Sequence, residues 1–432
     1  MIVANQVACP QFTIPSRVTI ARDCVKLYYS EKERLREMFK ACQRISVTTD
    51  TWTSIQRINY LCLTAHFIDS EWKLHKKIIN FLPISSHKGE AIGKAVEACL
   101  EHWGIEDKLF TVIVDNASSN DVACMHLSRM VRRTGCINDG KNLHVRCMAH
   151  IINLIVWDGI KQHGVCIDRV RNAVNHVKNS PARISRFKDL RVFSGLSLPD
   201  GEDLNDNERP PEEEDWKKVQ RLTLFLKGFY ILTKRISGSH YVTSNRGLSE
   251  ISYMYNMLNK WDKSGDLNFQ AMSIAIKQKF DKYWGNVNKM NKLIYVASIL
   301  EPHCKFILVE LSLIDMHGKE KVSKLANEVK DFTYTLFDEY RNMYTSSISQ
   351  TVPLSTVAYE SAFSTGGRTL DPFRRSLTPK MVQALICSQD WLRAKGLPII
   401  DVEETLKELE EIEKDVQCGD VDNEVIFVDS LV

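Results

Sequence analysis

The chain has no C-x-x-C pair, although it holds twelve cysteines among 432 residues. Irregular cysteine spacing in so long a chain points to reduced thiols inside a cell, not to a disulfide framework. No apolar run approaches the ~18 residues that a membrane span needs. Residues 1–17 are polar and contain Pro10 and Pro15 where a secretory leader would be apolar. The expected class is a soluble intracellular protein with no membrane partner. Strong charge of one sign is missing as well. The net charge is +3, so any surface for nucleic acid has to be local. What the chain does have is 44% apolar residues, enough for real cores, and a length that suits two or three domains.

The run ISVTTD at 45–50 is β-branched with period-two alternation and predicts a strand that ends on Asp50. A second apolar run, LFTVIV at 109–114, ends the same way on Asp115. Either aspartate alone reads more readily as a turn residue or helix cap than as part of a site. Two such strands side by side would bring two carboxylates to one edge of a sheet. Between them, residues 60–68 alternate, 69–70 predict a tight turn, and 71–82 predict a third strand. The period then changes. Ile92, Val96, Cys99, Leu100 and Trp103 lie on one face of a helix stopped by Gly104. After the Asp115 strand come a helix over 119–133, a short strand over 143–146 and another helix that ends before Gly159. Upstream, a charged helix is predicted over 30–39 with Ser30 as its N-cap.

The order is thus β-β-β-α-β-α-β. If the first strand pairs with both the second and the fourth, Asp50 and Asp115 become neighbours. That arrangement is the ribonuclease-H-like fold, an α/β mixed sheet. Its carboxylates hold divalent ions ~4 Å apart for in-line phosphoryl displacement, and hard ions such as Mg²⁺ want oxygen ligands. A third carboxylate is normally needed.

Several motifs resemble those of hAT-superfamily transposases and of the plant RICESLEEPER-type proteins derived from them. They are TTDTWTS at 48–54, VDNASSND at 114–121, RCMAHIINL at 146–154, EEDWKKVQRLTLFLKGFY at 213–230, KQKFDKYW at 277–284 and LIYVASILEPHCKF at 293–306. The block VPLSTVAYESAFSTGGRTLDPFRRSLTPKMVQALICSQDWL at 352–392 is the most specific and resembles the family's C-terminal dimerisation segment. The resemblance covers roughly residues 15–395. It implies a ribonuclease-H-like core with a large all-α insertion and a third carboxylate at Glu360. Asp50, Asp115 and Glu360 would then bind two Mg²⁺ or Mn²⁺ ions for DNA cleavage and joining. Cys147 and His150 match the family's C-x-x-H motif, for which a structural or DNA-positioning role is the stronger reading and zinc the weaker. Homodimers, or dimers with related proteins, and a nuclear location are implied by the family alone.

The same comparison exposes departures. The family's BED zinc finger has no counterpart here, so no zinc is expected. A Trp-bearing motif expected after residue 191 is replaced by an acidic stretch, VFSGLSLPDGEDLNDNERPPEEEDW at 192–216. Only residues 345–351 connect the helical insertion to the last block. These losses point to a transposase-derived DNA-binding protein, a transcriptional regulator without transposition activity. An active DDE-type transposase is the alternative.

Lys161, Arg169, Arg171, Lys178, Arg183, Arg186, Lys188 and Arg191 make 161–191 locally basic. On a single helix they would either contact phosphates or form a solvated face. The expected organisation is a helical lead-in at 1–44, the first part of the core at 45–160, a helical insertion at 161–345 with an acidic linker at 201–215, the dimerisation segment at 352–395, and an acidic tail at 396–432. Aromatic residues of the insertion are expected in its core.

Overall fold

The computed structural model describes residues 16–134, 140–190, 209–238, 242–287, 290–302, 305–343 and 378–393. Helix α1 (Arg17–Ala41) is longer than the sequence signals predict. It is capped by Ser16, whose Oγ accepts the amide of Thr19 at 3.1 Å. Ser30 is an exposed mid-helix residue and not a cap. The buried stripe Tyr28, Lys32, Leu35 and Phe39 carries the helix through it.

Strands β1 (Ile45–Thr53), β2 (Asn59–Ile68) and β3 (Leu74–Ile84) form the antiparallel meander. β3 starts later than 71 because Asp69 Oδ1 takes the amides of Glu71 and Lys73 at 3.0 and 2.9 Å, folding 69–73 into a turn. Helix α2 (Gly89–Trp103) follows and stops at Gly104, whose φ of 64° no β-carbon opposes. β4 (Leu109–Val114), α3 (Ser118–Thr134) and β5 (His144–Arg146) complete a five-stranded sheet of order β3-β2-β1-β4-β5. β1 pairs antiparallel with β2 and parallel with β4, and β5 lies parallel to β4. This is the predicted mixed sheet.

One face of the sheet is apolar. Ile45, Val47, Leu61, Leu63, Ala65, Phe67, Val112 and Val114 alternate inward against Leu35 and Phe39 of α1, Val96 and Trp103 of α2, and Leu127 of α3. The opposite face carries buried polar pairs, Thr111 Oγ1 on Ser46 Oγ at 2.9 Å and Thr48 Oγ1 with His66 Nε2 at 3.2 Å.

Both sheet edges are covered by residues far away in sequence. At the β3 edge, Ile78 gives its amide to Asp390 Oδ2 and accepts from Trp391 Nε1, each at 2.8 Å. At the β5 edge, Asn291 Nδ2 donates to the carbonyls of Asn142 and His144 at 3.0 and 2.9 Å. Unpaired edge groups are otherwise templates for aggregation.

The remaining described residues are helical: α4 (Met148–Ile160), α5 (Gly164–Lys178), α6 (Pro181–Leu190), α7 (Glu213–Ile236), α8 (Gly247–Asp262), α9 (Leu267–Trp284), α10 (Leu293–Ile299), α11 (Lys305–His317), α12 (Lys319–Met343) and α13 (Pro379–Arg393). The chain divides into two compact units. One holds the sheet, its helices through Ile151, Ile236–Ser249 and the described residues from 287 to 393. The other holds Ile152–Arg235 and Glu250–Asn286. Helices α10, α11 and α12 fall in the sheet's unit. In the second unit Phe225, Phe229, Trp261 and Phe280 are buried, with Phe225 and Trp261 rings 4.1 Å apart. Those four are core, as expected, whereas Tyr230, Tyr334 and Phe337 are exposed. Among the described residues no helix is long and apolar enough to cross a membrane.

Candidate functional site

The register of β1 on β4 runs towards the two aspartates. Val47 stands beside Val112 and Thr48 beside Ile113. Continued by two residues, that register would set Asp50 level with Asp115 on one face, since neighbouring parallel strands point such residues the same way. Both carboxylates are half-buried. β4 stops at Val114 while β1 continues to Thr53 against β2, so the sheet opens just where the carboxylates lie.

Each aspartate is held from its own backbone. Asp50 Oδ1 accepts the amide of Thr51 at 2.7 Å. Asp115 Oδ1 accepts two donors, the amide of Ala117 at 2.8 Å and Asn120 Nδ2 at 2.5 Å. Asn120 sits in the first turn of α3 and is only 7% exposed. No hydrogen bond from a described residue falls on Asp115 Oδ2. The turn is braced from β5, where Arg146 donates to Asp121 Oδ1 at 2.8 Å and to Asn116 Oδ1 at 3.3 Å. Burial, with the Arg146 charge beside it, holds the His144 ring down at about 4, so it is neutral near pH 7. On the other side of Asp50, His87 Nε2 donates to Asn59 Oδ1 and its Nδ1 is hydrogen-bonded with Thr51 Oγ1, both at 2.8 Å. An amide oxygen only accepts, so this contact calls for a proton on Nε2.

Cys147 reaches the same edge. Its amide donates to Val114 O at 2.9 Å, its carbonyl accepts from Ile151 at 3.1 Å, and its buried Sγ takes the amide of His150 at 3.5 Å. The C-x-x-H spacing is thus the start of α4, with the sulfur in the place of a capping oxygen. Among the described residues, no three of His, Cys, Asp and Glu are grouped to hold a metal. Glu360 lies outside the described residues. Two oxygen ligands on one face, one of them with an uncommitted oxygen, fit a hard divalent ion as part of a larger ligand set.

The basic stretch is not one helix. A 3₁₀ turn at Lys161–His163, then α5, a break at Ser180 and α6 beginning on Pro181 divide it. Arg169 is committed to Asp215 at 3.0 Å in a mostly buried pair, which removes it from the candidate DNA contacts. Arg171 pairs with Asp168, and Arg183 donates to His176 O at 2.9 Å while remaining exposed. Lys178 and Arg186 are exposed. Lys188 lies on α6, with its side chain outside the described set.

Asn120, Asn116 and Arg146 are site residues that the sequence reading passed over. Asn120 had one usable signal, its position in the first helical turn after Asp115.

Comparison with known proteins finds family matches along much of the chain. Residues 48–142 match the ZBED1 RNase-like domain and 145–196 its helical domain. Residues 245–340 match the hAT-like transposase RNase-H fold, and 343–392 match the hAT family C-terminal dimerisation region. A maize protein named Putative AC transposase is 28% identical over 500 positions, taking in 89% of this chain and 61% of its own length. Two rice proteins, zinc finger BED domain-containing proteins RICESLEEPER 1 and RICESLEEPER 2, are 30% and 27% identical. They match over 81% and 89% of this chain, and over 52% and 70% of themselves. An alignment of 500 positions exceeds the 432 residues here, so the maize protein holds internal segments that this chain lacks. The chain spans about three fifths of that relative. By its strand order and by four family regions that together match residues 48–142, 145–196, 245–340 and 343–392, the chain belongs to the hAT-superfamily transposase-like proteins.

Proposed function

We propose that this protein binds DNA as a dimer in the nucleus, acts as a transcriptional regulator, and no longer transposes. Its sheet edge retains Asp50 and Asp115 as oxygen ligands for Mg²⁺ or Mn²⁺, with Glu360 as the third carboxylate that the family resemblance implies. The observation that supports the metal reading is the parallel register of β1 on β4, which pairs Thr48 with Ile113, each two residues before its aspartate. When bound there, divalent ions would stabilise the attacking and leaving oxygens of a phosphodiester. The residues' own part is to present hard oxygens on a rigid edge and to hold them by backbone and Asn120 donors. DNA affinity is assigned mainly to phosphate contacts from exposed cations such as Lys178, Arg183 and Arg186, which favour binding without base readout. Loss of transposition rests on two internal departures, the acidic replacement at 192–216 and the short connection at 345–351.

Purified protein tests both parts. Gel retardation should appear at low salt and fade as salt rises, and supercoiled DNA should stay intact with Mg²⁺ or Mn²⁺. Absence of retardation at every salt concentration would sink the binding reading. Metal-dependent nicking that disappears in an Asp50→Ala, Asp115→Ala double variant would establish the second reading, an active DDE-type enzyme. The intact bracing of Asp115 favours that second reading.

A further inference from the structure

We propose that Asn120 is the positioning residue of the metal site: it fixes the rotation of the Asp115 carboxylate so that Oδ2 is presented to the ion. This rests on the reading of Asp50 and Asp115 as metal ligands. An ionised carboxylate has two acceptor oxygens, each with about two lone-pair directions. Here both strong donors go to one of them. Ala117 N–H and Asn120 Nδ2 converge on Oδ1 at 2.8 and 2.5 Å. With a single donor the group could still turn about its Cβ–Cγ bond. Two donors from different directions fix it, and donors to an ionised acceptor are short and strong.

The placement of Asn120 supports a dedicated role. A turn aspartate needs only the Ala117 amide to close its turn, so the second donor is surplus to folding the loop. Asn120 is 7% exposed, and a buried amide with its donor elsewhere would leave Asp115 able to swing. The helix bearing Asn120 is itself pinned, since Arg146 of β5 holds the adjacent Asp121 at 2.8 Å. The line of support runs from β5 through α3 to the ligand. Partners of this kind typically change metal affinity by about 10–100-fold when removed.

The test uses the full chain, with Mn²⁺ affinity read from the paramagnetic resonance of free ion during titration. Four proteins are compared: the natural sequence, Asn120→Leu, Asn120→Ala and Asp50→Asn with Asp115→Asn. Asn120→Leu keeps the side chain's shape and deletes its donor. Asn120→Ala serves if leucine fails to fold, and circular dichroism melts establish folding for each. The expected result is Mn²⁺ binding that the double aspartate variant abolishes and both Asn120 variants weaken about 10–100-fold. Folded Asn120 variants with natural Mn²⁺ affinity would overturn the positioning role while leaving the site standing. If the natural protein binds Mn²⁺ no better than the double variant, the metal site itself falls and the positioning role with it.

Discussion

His66 shows how the polar face of the sheet stores a pH dependence. It is buried on β2 beside Thr48, and burial, helped by the Lys76 charge, lowers the ring from 6.5 to about 3. His144 is lowered in the same direction to about 4, first by burial and then by Arg146, against the opposing pull of Asp121. Both rings are therefore neutral in the fold at pH 5 and charged in the unfolded chain below 6.5. Unfolding takes up protons, so stability rises with pH through that window and is lost as pH falls from about 6.5 towards 4 and 3. Each ring contributes a slope of at most about 1.4 kcal/mol per pH unit. The urea midpoint should be lower at pH 5 than at pH 7, and His66→Gln should shrink the difference. Equal midpoints at the two pH values in the natural protein would refute this account.

At the scale of elements, the site depends on how closely α2 and α3 approach. A β-carbon at Gly89 would stand 2.1 Å from Ser119 O and 2.6 Å from Val122 Cβ. The first obstacle is backbone and cannot rotate away, so Gly89→Ala must push the first turn of α3, the turn that carries Asn120. Overpacking of this sort costs roughly 1–3 kcal/mol. A lowered melting temperature together with weaker Mn²⁺ binding is expected, and an unchanged melt would show that the helices part freely. The strands were legible in the sequence because β-branched alternation and terminal aspartates are local signals. Gly104 was legible for the same reason. The start of α1 was not, since Ser30 imitates a cap and only the burial of Tyr28 and Lys32 shows the helix running on. Nor was the bracing of Asp115, because a side chain's partner across a turn leaves little trace in periodicity. The commitment of Arg169 to Asp215 joins α5 to α7 across the acidic stretch, and charge alone could not distinguish it from a phosphate contact.

For the whole molecule, the decisive fact is how the segment matching the dimerisation region is used within a single chain. Val382, Ala384, Ile386, Cys387 and Trp391 of α13 are all 5% exposed or less. Trp391 stacks on Tyr28 of α1 with ring centroids 5.3 Å apart, while its indole and the neighbouring Asp390 close the β3 edge. The bond between Trp391 and Ile78 spans 313 positions, which is why no local pattern announces it. The buried side chains of this helix belong to the chain's own core. Removing α13 would expose Trp391's partners and leave the β3 edge unpaired. Burial of each large apolar side chain stabilises by about 1.5–3 kcal/mol, and a typical domain is stable by only about 5–15 kcal/mol in total. A chain ended at residue 377 should therefore lose its cooperative melt and aggregate, instead of yielding a clean monomer. Trp391→Ala should lower the melting temperature in the full chain without that collapse. Light scattering and calorimetry on the shortened chain decide the matter. A soluble, cooperatively folding monomer would mean that α13 serves association alone, and that its burial in the sheet's core contributes little to the fold.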